Sequence, residues 1–138
     1  MSEMIILDTH IWFWFVNGDA DRLPEYHKER IELAERVGIS PVSCFEIALA
    51  RQKGKLELPC ETHTWLEQAL EPAGIEIFPL TPSIASRAVD LTQIHKDPFD
   101  RIIIATALEY GAMLSSVDGM FIKYPELNKC LMKADDRA

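Results

Sequence analysis

Apolar residues occur along this chain both as short runs and as longer stretches with helical spacing. The short runs are bounded by polar or turn-forming residues and predict buried strands at 4–7, 38–40, 75–80 and 112–115. Apolar residues three or four positions apart predict helices at 11–17, 24–36, 41–52, 62–71, 82–93 and 98–110. A helical turn at 118–121 and an edge strand at 130–132 complete the predicted order.

Strands that alternate with helices indicate an α/β fold. Each helix provides the crossover that lets two neighbouring strands run parallel, so we expect a parallel sheet covered by helices on both faces. No repeat, low-complexity segment or flexible linker divides the 138 residues, and this length suits one core. We therefore expect a single domain over residues 1–138.

Composition and charge disfavour several classes of protein. The formal net charge is −8, which disfavours a module that holds nucleic acid on a broad basic face. Three widely spaced cysteines form no C-x-x-C pair, so neither a zinc knuckle nor a disulfide framework is indicated. The N-terminus lacks the features of a signal sequence, and the longest apolar run, 11–16, is too short for a membrane span. We expect a cytoplasmic protein that does not enter membranes.

Four acidic residues stand where the predicted strands end. Asp8 closes the first strand and Asp118 follows the fourth, whereas Glu46 and Asp100 fall in the predicted first turns of helices. Ligands of parallel sheets bind beyond the carboxyl ends of the strands. The sequence therefore predicts four carboxylates on one rim of the sheet.

Three of these acids have an ordinary structural explanation when each is taken alone. Glu46 would complete a capping box with Ser43, Asp100 would follow an Asp97 N-cap, and Asp118 would cap a short helix. Asp8 has no such explanation, because a carboxylate at the end of an apolar strand is desolvated.

A bound cation would explain why four carboxylates are predicted on the same rim. Clustered carboxylates repel one another or take up protons unless a positive charge lies among them. Mg²⁺ prefers oxygen ligands, and a pair of such ions about 3.5–4 Å apart can activate a water and stabilise a leaving oxygen. We expect Mg²⁺ as the cofactor, with Mn²⁺ also supporting activity.

Four segments resemble PIN-domain ribonucleases, specifically the VapC-type toxins of bacterial toxin–antitoxin pairs. They are Met-Ile-Ile-Leu-Asp8-Thr-His-Ile-Trp, Ile-Ser-Pro-Val-Ser43-Cys-Phe-Glu46-Ile-Ala with the following Lys53-Gly-Lys-Leu, His95-Lys-Asp-Pro-Phe-Asp100-Arg-Ile-Ile-Ile-Ala, and Ser115-Ser-Val-Asp118. The segments follow the order and spacing of that family over nearly the whole chain. Ser116 stands where a threonine is commoner.

The resemblance implies a three-layer α/β/α sandwich with a short, mostly parallel sheet. It also implies a metal-dependent endoribonuclease whose catalytic and metal-binding residues are Asp8, Glu46, Asp100 and Asp118. The expected partners are an RNA substrate, a cognate antitoxin protein and a second copy of the chain in a homodimer. Asp97 and Asp100 both stand in the third motif, and we assign metal binding to Asp100 and capping to Asp97.

Several further residues are candidate substrate contacts: Arg51, Lys53, Lys55, Arg101 and Ser116. The basic segment at 51–55 suits RNA phosphates and equally suits a solvated helix end. His10 and His95 lie near the rim, where a packing role competes with a substrate contact. The consecutive aromatics at 12–15 point around a helix, so we expect two or three in the core and the rest on a dimer or antitoxin surface.

Other functions remain as alternatives. A phosphatase with Asp8 as nucleophile would need an acid two residues later, where His10 stands, and a receiver domain would need an acid pair that Glu3 is too far upstream to form. A PIN fold kept as a catalytically silent binding module would have lost acids, and all four are present. A 5′-nuclease acting on DNA structures would be much longer.

Overall fold

Strands and helices alternate through residues 3–133, the part of the chain that the computed structural model describes. In chain order they are β1 (Met4–Leu7), α1 (Thr9–Asn17), α2 (Glu25–Leu33), β2 (Arg36–Ile39), α3 (Pro41–Gln52), α4 (Thr62–Gln68), β3 (Glu76–Ile77), α5 (Pro82–Asp90), α6 (Pro98–Tyr110) and β4 (Met113–Ser115). Short 3₁₀ helices span Glu71–Ala73, Phe121–Lys123 and Pro125–Leu127. None of the helices in this range is long and apolar enough to cross a membrane.

The four strands form one parallel sheet in the order β3-β2-β1-β4. The central strand β1 pairs with β2 on one side and with β4 on the other, so the first and last strands of the chain are neighbours. The edge strand predicted at 130–132 is reduced to a single parallel bridge between Leu114 and Leu131. The carboxyl ends of all four strands therefore point to one rim.

Side chains of β1 alternate between two separate cores. Ile5 and Leu7 face one group of buried residues, which includes Trp12, Ile47 and Trp65 from the helices. Ile6 faces the other group, which is built mainly on α6 and the 3₁₀ segments near the end of the chain. The helices thus cover both faces of the sheet, which confirms the predicted α/β/α sandwich.

Some predicted boundaries are wrong for local reasons. The second helix ends at Leu33 instead of residue 36, because Arg36 already pairs with Met4 in the sheet. The third strand is only two residues long, because its partner β2 ends at Ile39, where Ser40 becomes the N-cap of α3. The fifth helix ends at Asp90 instead of residue 93, where Leu91 takes up extended backbone.

Gly38 lets β2 and β3 approach closely. A Cβ atom at this position would lie 2.3 Å from the ring of Phe78 and 2.6 Å from the carbonyl oxygen of Glu76. Neither distance is sterically possible, so a side chain at residue 38 would force the two strands apart.

The consecutive aromatic residues of α1 differ in burial, because neighbouring residues point to different sides of a helix. Trp12 is fully buried and donates its indole N–H to the carbonyl of Ala69 at 2.9 Å. Phe13, Trp14 and Phe15 are half-buried and pack against the same core. Their outer surfaces are the part of the run that a dimer or antitoxin contact would use, and that role stays a prediction.

Candidate active site

Asp8 is held at the junction of β1 and α1. Its backbone amide donates to the carbonyl of Ser115 at the end of β4, and its side chain caps α1. Oδ1 accepts from the Thr9 amide and Oδ2 from the Ser116 hydroxyl, each at 2.8 Å. Burial raises the pKa of Asp8, and the charge of Asp118 adds to the rise, against the opposing hydrogen bonds. The carboxyl group is therefore fixed in place and costly to ionise without a cation.

Glu46 points to the same rim from α3. The helix begins at Pro41 with Ser40 as its N-cap, so the predicted capping box between Ser43 and Glu46 is wrong. Glu46 lies in the second turn of α3, about one turn further along the helix than the capping box requires. It accepts a hydrogen bond from the Thr9 hydroxyl at 2.6 Å. Ser43 is 2.8 Å from that hydroxyl and donates to it, because the Thr9 proton is used by Glu46.

Asp100 lies in the first turn of α6 and has a strongly perturbed carboxyl group. Burial, followed by the negative charges of the neighbouring acids, raises its pKa to about 8. Those neighbours are Asp8, Asp97, Glu46 and Asp118. His95 Nε2 lies 3.2 Å from Asp100 Oδ2, and His95 Nδ1 lies 2.6 Å from the Tyr124 hydroxyl. His95 is thus a positioning residue for Asp100.

Asp118 completes the group from the loop after β4. It is exposed, its amide donates to Ser116 Oγ at 3.1 Å, and its Oδ1 accepts from the Met120 amide at 2.8 Å. Ser116 therefore joins the two acids, since it also donates to Asp8. We call Asp8, Glu46, Asp100 and Asp118 the acid cluster.

The acid cluster has the oxygen donors that a hard divalent cation requires. No set of three or more His, Cys, Asp and Glu side chains within residues 3–133 is arranged to hold a metal ion by itself. The acids are electrostatic neighbours instead, since the charges of Asp8, Glu46 and Asp118 all raise the pKa of Asp100. Mg²⁺ suits this arrangement, because it commonly binds through one or two carboxylates and keeps several waters.

The candidate substrate residues are spread over the structure. Ser116 lies in the site, where it orients Asp8. Arg51 is five residues beyond Glu46 and hence about 7.5 Å further along α3. Arg51 donates to the Thr62 hydroxyl at 2.9 Å, and Lys53 and Lys55 are exposed at the same far end of the helix. The basic segment is therefore not part of the rim.

Arg101, a predicted RNA contact, is buried and makes its hydrogen bonds within the protein. Its side chain is buried, and its guanidinium donates to the carbonyls of Ala88, Val89, Leu91 and Thr92 at 2.9–3.1 Å. These carbonyls lie at and just beyond the end of α5, where a helix leaves acceptors unsatisfied. Arg101 therefore caps α5, and its donors are used before any phosphate could reach them.

Two positioning residues were not predicted from the sequence. Thr9 connects Asp8 to Glu46 through its amide and hydroxyl, and its position directly after Asp8 was the available signal. His27 is fully buried, with Nδ1 2.7 Å from Ser115 Oγ and Nε2 3.0 Å from the Lys133 carbonyl. It fixes the end of β4, from which Ser116 and Asp118 follow, and a distant histidine on a charged helix gives no sign of this in the sequence.

A groove of about 560 Å³ opens on the Asp118 side of the rim. Its walls come from the loop after β4 and from the C-terminal segment, including Ser116, Ile122, Lys123 and Lys133. This volume is within the range of small-ligand sites, roughly 300–1,000 Å³. Asp118 is the member of the acid cluster that lines this groove, next to Ser116.

Asp97→Ala tests whether Asp97 caps α6 or takes part in metal binding. Asp97 Oδ1 accepts from the amides of Phe99 and Asp100 at 2.9 and 3.3 Å, so its loss should lower the free energy of unfolding by about 0.5–2 kcal/mol. We expect the variant to melt earlier and still cut RNA below its melting temperature. Chemical denaturation and a cleavage assay measure the two effects, and Asp97→Asn, which keeps the cap, is the control. A stable but inactive Asp97→Ala would move the metal role to Asp97.

Comparison with known proteins agrees with this arrangement. The PIN domain family profile matches residues 5–127. Ribonuclease VapC22 of Mycobacterium tuberculosis (strain ATCC 25618 / H37Rv) is 32% identical over 115 residues, which cover 83% of this chain and 86% of the relative.

Two solved structures share the fold at low sequence identity. A chain of VapBC2 from Rickettsia felis, crystallised with a DNA fragment from its promoter, aligns with a TM-score of 0.67 at 17% identity, covering 94% of this chain and 97% of that one. A chain of a toxin–antitoxin complex from Klebsiella pneumoniae aligns with a TM-score of 0.62 at 19% identity, covering 95% and 98%. With a family profile that spans most of its length and a relative above 30% identity, the chain belongs to the PIN domain family, among proteins similar to the VapC ribonucleases.

Proposed function

We propose that this protein is a metal-dependent endoribonuclease that acts as the toxin of a toxin–antitoxin pair. The observation that carries the proposal is the environment of Asp100, whose half-buried carboxyl group faces the charges of all three other members of the acid cluster. Bringing these carboxyl groups together is unfavourable without a cation, because ionised neighbours repel one another and burial disfavours their ionisation. The similarity to a protein named as a ribonuclease supports RNA as the substrate.

Asp8, Glu46, Asp100 and Asp118 would hold Mg²⁺ or Mn²⁺. When bound, the metal would lower the pKa of a water and neutralise charge on the scissile phosphate. The chain's own residues keep the acids in place: Thr9 and Ser116 hold the two oxygens of Asp8, and His95 holds one oxygen of Asp100. One oxygen each of Glu46, Asp100 and Asp118 has no protein hydrogen bond within residues 3–133 and is free to face the ion.

The proposed partners follow from the same comparisons. Two solved structures with this fold are a VapBC pair and a toxin–antitoxin complex, which supports an antitoxin that binds and inhibits this chain in the cytoplasm. We also propose a homodimer. The half-buried aromatic residues of α1 provide an apolar surface for either the dimer contact or the antitoxin contact.

Metal removal and product analysis test the reaction. EDTA should abolish cleavage of RNA, and Mg²⁺ or Mn²⁺ should restore it, because carboxylates have no positive charge with which to stabilise the phosphate or activate a water. Attack of water on phosphorus breaks the bond to the 3′ oxygen, which takes up a proton. The products should therefore carry a 5′-phosphate and a 3′-hydroxyl, as mapping of the cleaved ends would reveal. A 2′,3′-cyclic phosphate, or full activity in EDTA, would exclude the proposed reaction.

A further inference from the structure

Two phenylalanines lie side by side next to the acid cluster. The ring centroids of Phe45 and Phe99 are 5.4 Å apart, with 54° between the ring planes. Phe45 directly precedes Glu46 in α3, and Phe99 directly precedes Asp100 in α6. The aromatic pair therefore bridges the same two helices as Glu46 and Asp100, one residue earlier in each.

The aromatic pair does not serve the core. Phe45 is 56% exposed and Phe99 is half-buried, and neither ring belongs to the groups of buried residues found within residues 3–133. The exposed ring of Phe45 is apolar surface that a ligand could cover with a gain in free energy. Its packing against a second ring keeps it in a defined place at the rim.

The charges around the rim make an uncharged contact useful for RNA. The chain has a net charge of −8, the acid cluster adds to the negative charge locally, and Arg101 is buried under α5. The acids therefore repel phosphates at the rim unless a cation is bound among them. Stacking of a base on an aromatic ring needs no charge, and it contributes about 1–3 kcal/mol per base in single-strand binding proteins.

We propose that the rings of Phe45 and Phe99 form a stacking platform for a base of single-stranded RNA beside the scissile phosphate. The inference rests on the proposed function, because it takes RNA as the substrate. Each ring belongs to the residue next to an acid of the cluster, Glu46 or Asp100, which favours a nucleotide over a protein partner. Phe45, the more exposed ring, provides the stacking surface, and Phe99 supports it from α6.

Binding of RNA without cleavage tests the platform. A labelled single-stranded RNA with a mapped cleavage site is titrated with Mg²⁺ present, and all variants carry Asp8→Asn to prevent cutting. Phe45→Ala should raise Kd about 5- to 100-fold, and Phe45→Trp should restore binding because the ring is kept. Leu33→Ala, at a residue that is 86% exposed on α2, is the matched control and should leave Kd unchanged.

Abasic RNAs then separate stacking from an indirect structural effect. One abasic position near the cleavage site should weaken binding to the Asp8→Asn protein as much as Phe45→Ala does. The same abasic RNA should lose nothing further with Phe45→Ala, because the stacked base is already missing. If the abasic position and Phe45→Ala lower the affinity additively, the stacking proposal is wrong. It is also wrong if Phe45→Ala leaves Kd unchanged.

The outcomes also distinguish the platform from the proposed function and from a protein-docking role. A wild-type protein that cuts no RNA would reject the proposed function before any variant is compared. Wild-type cleavage together with an unaffected Phe45→Ala would reject only the platform. If Phe45→Ala instead weakens self-association or antitoxin binding while RNA affinity stays constant, the aromatic pair is a protein contact and the stacking role is wrong.

Discussion

Asp8→Asn should abolish RNA cleavage without unfolding the protein. We expect the rate to fall more than about 100-fold, the upper end of the loss caused by mutating residues that merely support a metal ligand. Asparagine can keep the local structure: its oxygen accepts from the Thr9 amide, and its amide donates to the Ser116 hydroxyl, which can accept two hydrogen bonds. The substitution therefore removes charge and metal affinity while leaving shape intact.

The stability of Asp8→Asn decides what kind of role Asp8 has. In metal-free buffer the melting temperature should equal or exceed that of the wild type, because burial already disfavours the ionised form of Asp8. Differential scanning calorimetry with and without Mg²⁺ measures this, and stabilisation by Mg²⁺ should be smaller in the variant. Asp21→Asn, an exposed acid beyond the far end of α1, is the control for loss of one charge. A large drop in melting temperature without metal would make Asp8 a structural residue.

The metal-free protein should lose part of its stability as the pH rises from about 4 to about 8. The pKa of Asp100 is about 8 in the folded protein, against 3.8 for an ordinary aspartate. Below the lower value both states are protonated, and the full contribution to stability is present. Between the two values the unfolded chain ionises while folded Asp100 keeps its proton, so stability falls until the loss is complete above the folded pKa. Glu46 and Asp8, whose pKa values are also raised, add in the same direction.

Asp100→Asn isolates this contribution. The difference in melting temperature between variant and wild type, measured without metal, should grow in favour of the variant across this pH range. Acids with lowered pKa values, such as Glu76 beside Arg36, give the opposite trend in both proteins and cancel in the difference. Saturating Mg²⁺ should remove the advantage, because the metal binds the ionised carboxylate and displaces the proton. A pH-independent difference would show that the acids of the rim do not interact as the structure indicates.

The order of strands and helices could be predicted from the sequence because it depends on local patterns. The apolar run before Asp8 and the Asp97-Pro98 start of α6 give the same elements in the structure. The parallel sheet follows from the same alternation, and so does the rim on which its strands end. Asp97 as the N-cap of α6 was likewise a local inference, and its hydrogen bonds agree with it.

Long-range contacts decided what the local patterns left open. Ser40, Ser43 and Thr9 all suit a cap or a turn in sequence, yet only the packing of α1 against α3 makes Thr9 the hydrogen-bond donor to Glu46. Arg101 follows an acid of the rim and resembles a phosphate contact. Its side chain is nevertheless buried, because four carbonyls at the end of α5 and just beyond it, on a separate helix, accept from its guanidinium.

The sequence by itself thus determined the alternation of elements, the parallel sheet and which acids stand at the ends of strands. Those properties depend on residues a few positions apart, where hydrophobic period and turn chemistry act directly. The tertiary structure alone decided how each acid is held, that Phe45 meets Phe99 beside them, and that the pKa of Asp100 rises to about 8. Desolvation and charge repulsion depend on distances between side chains that are far apart in the chain, and those distances exist only after the sheet has brought its strand ends together.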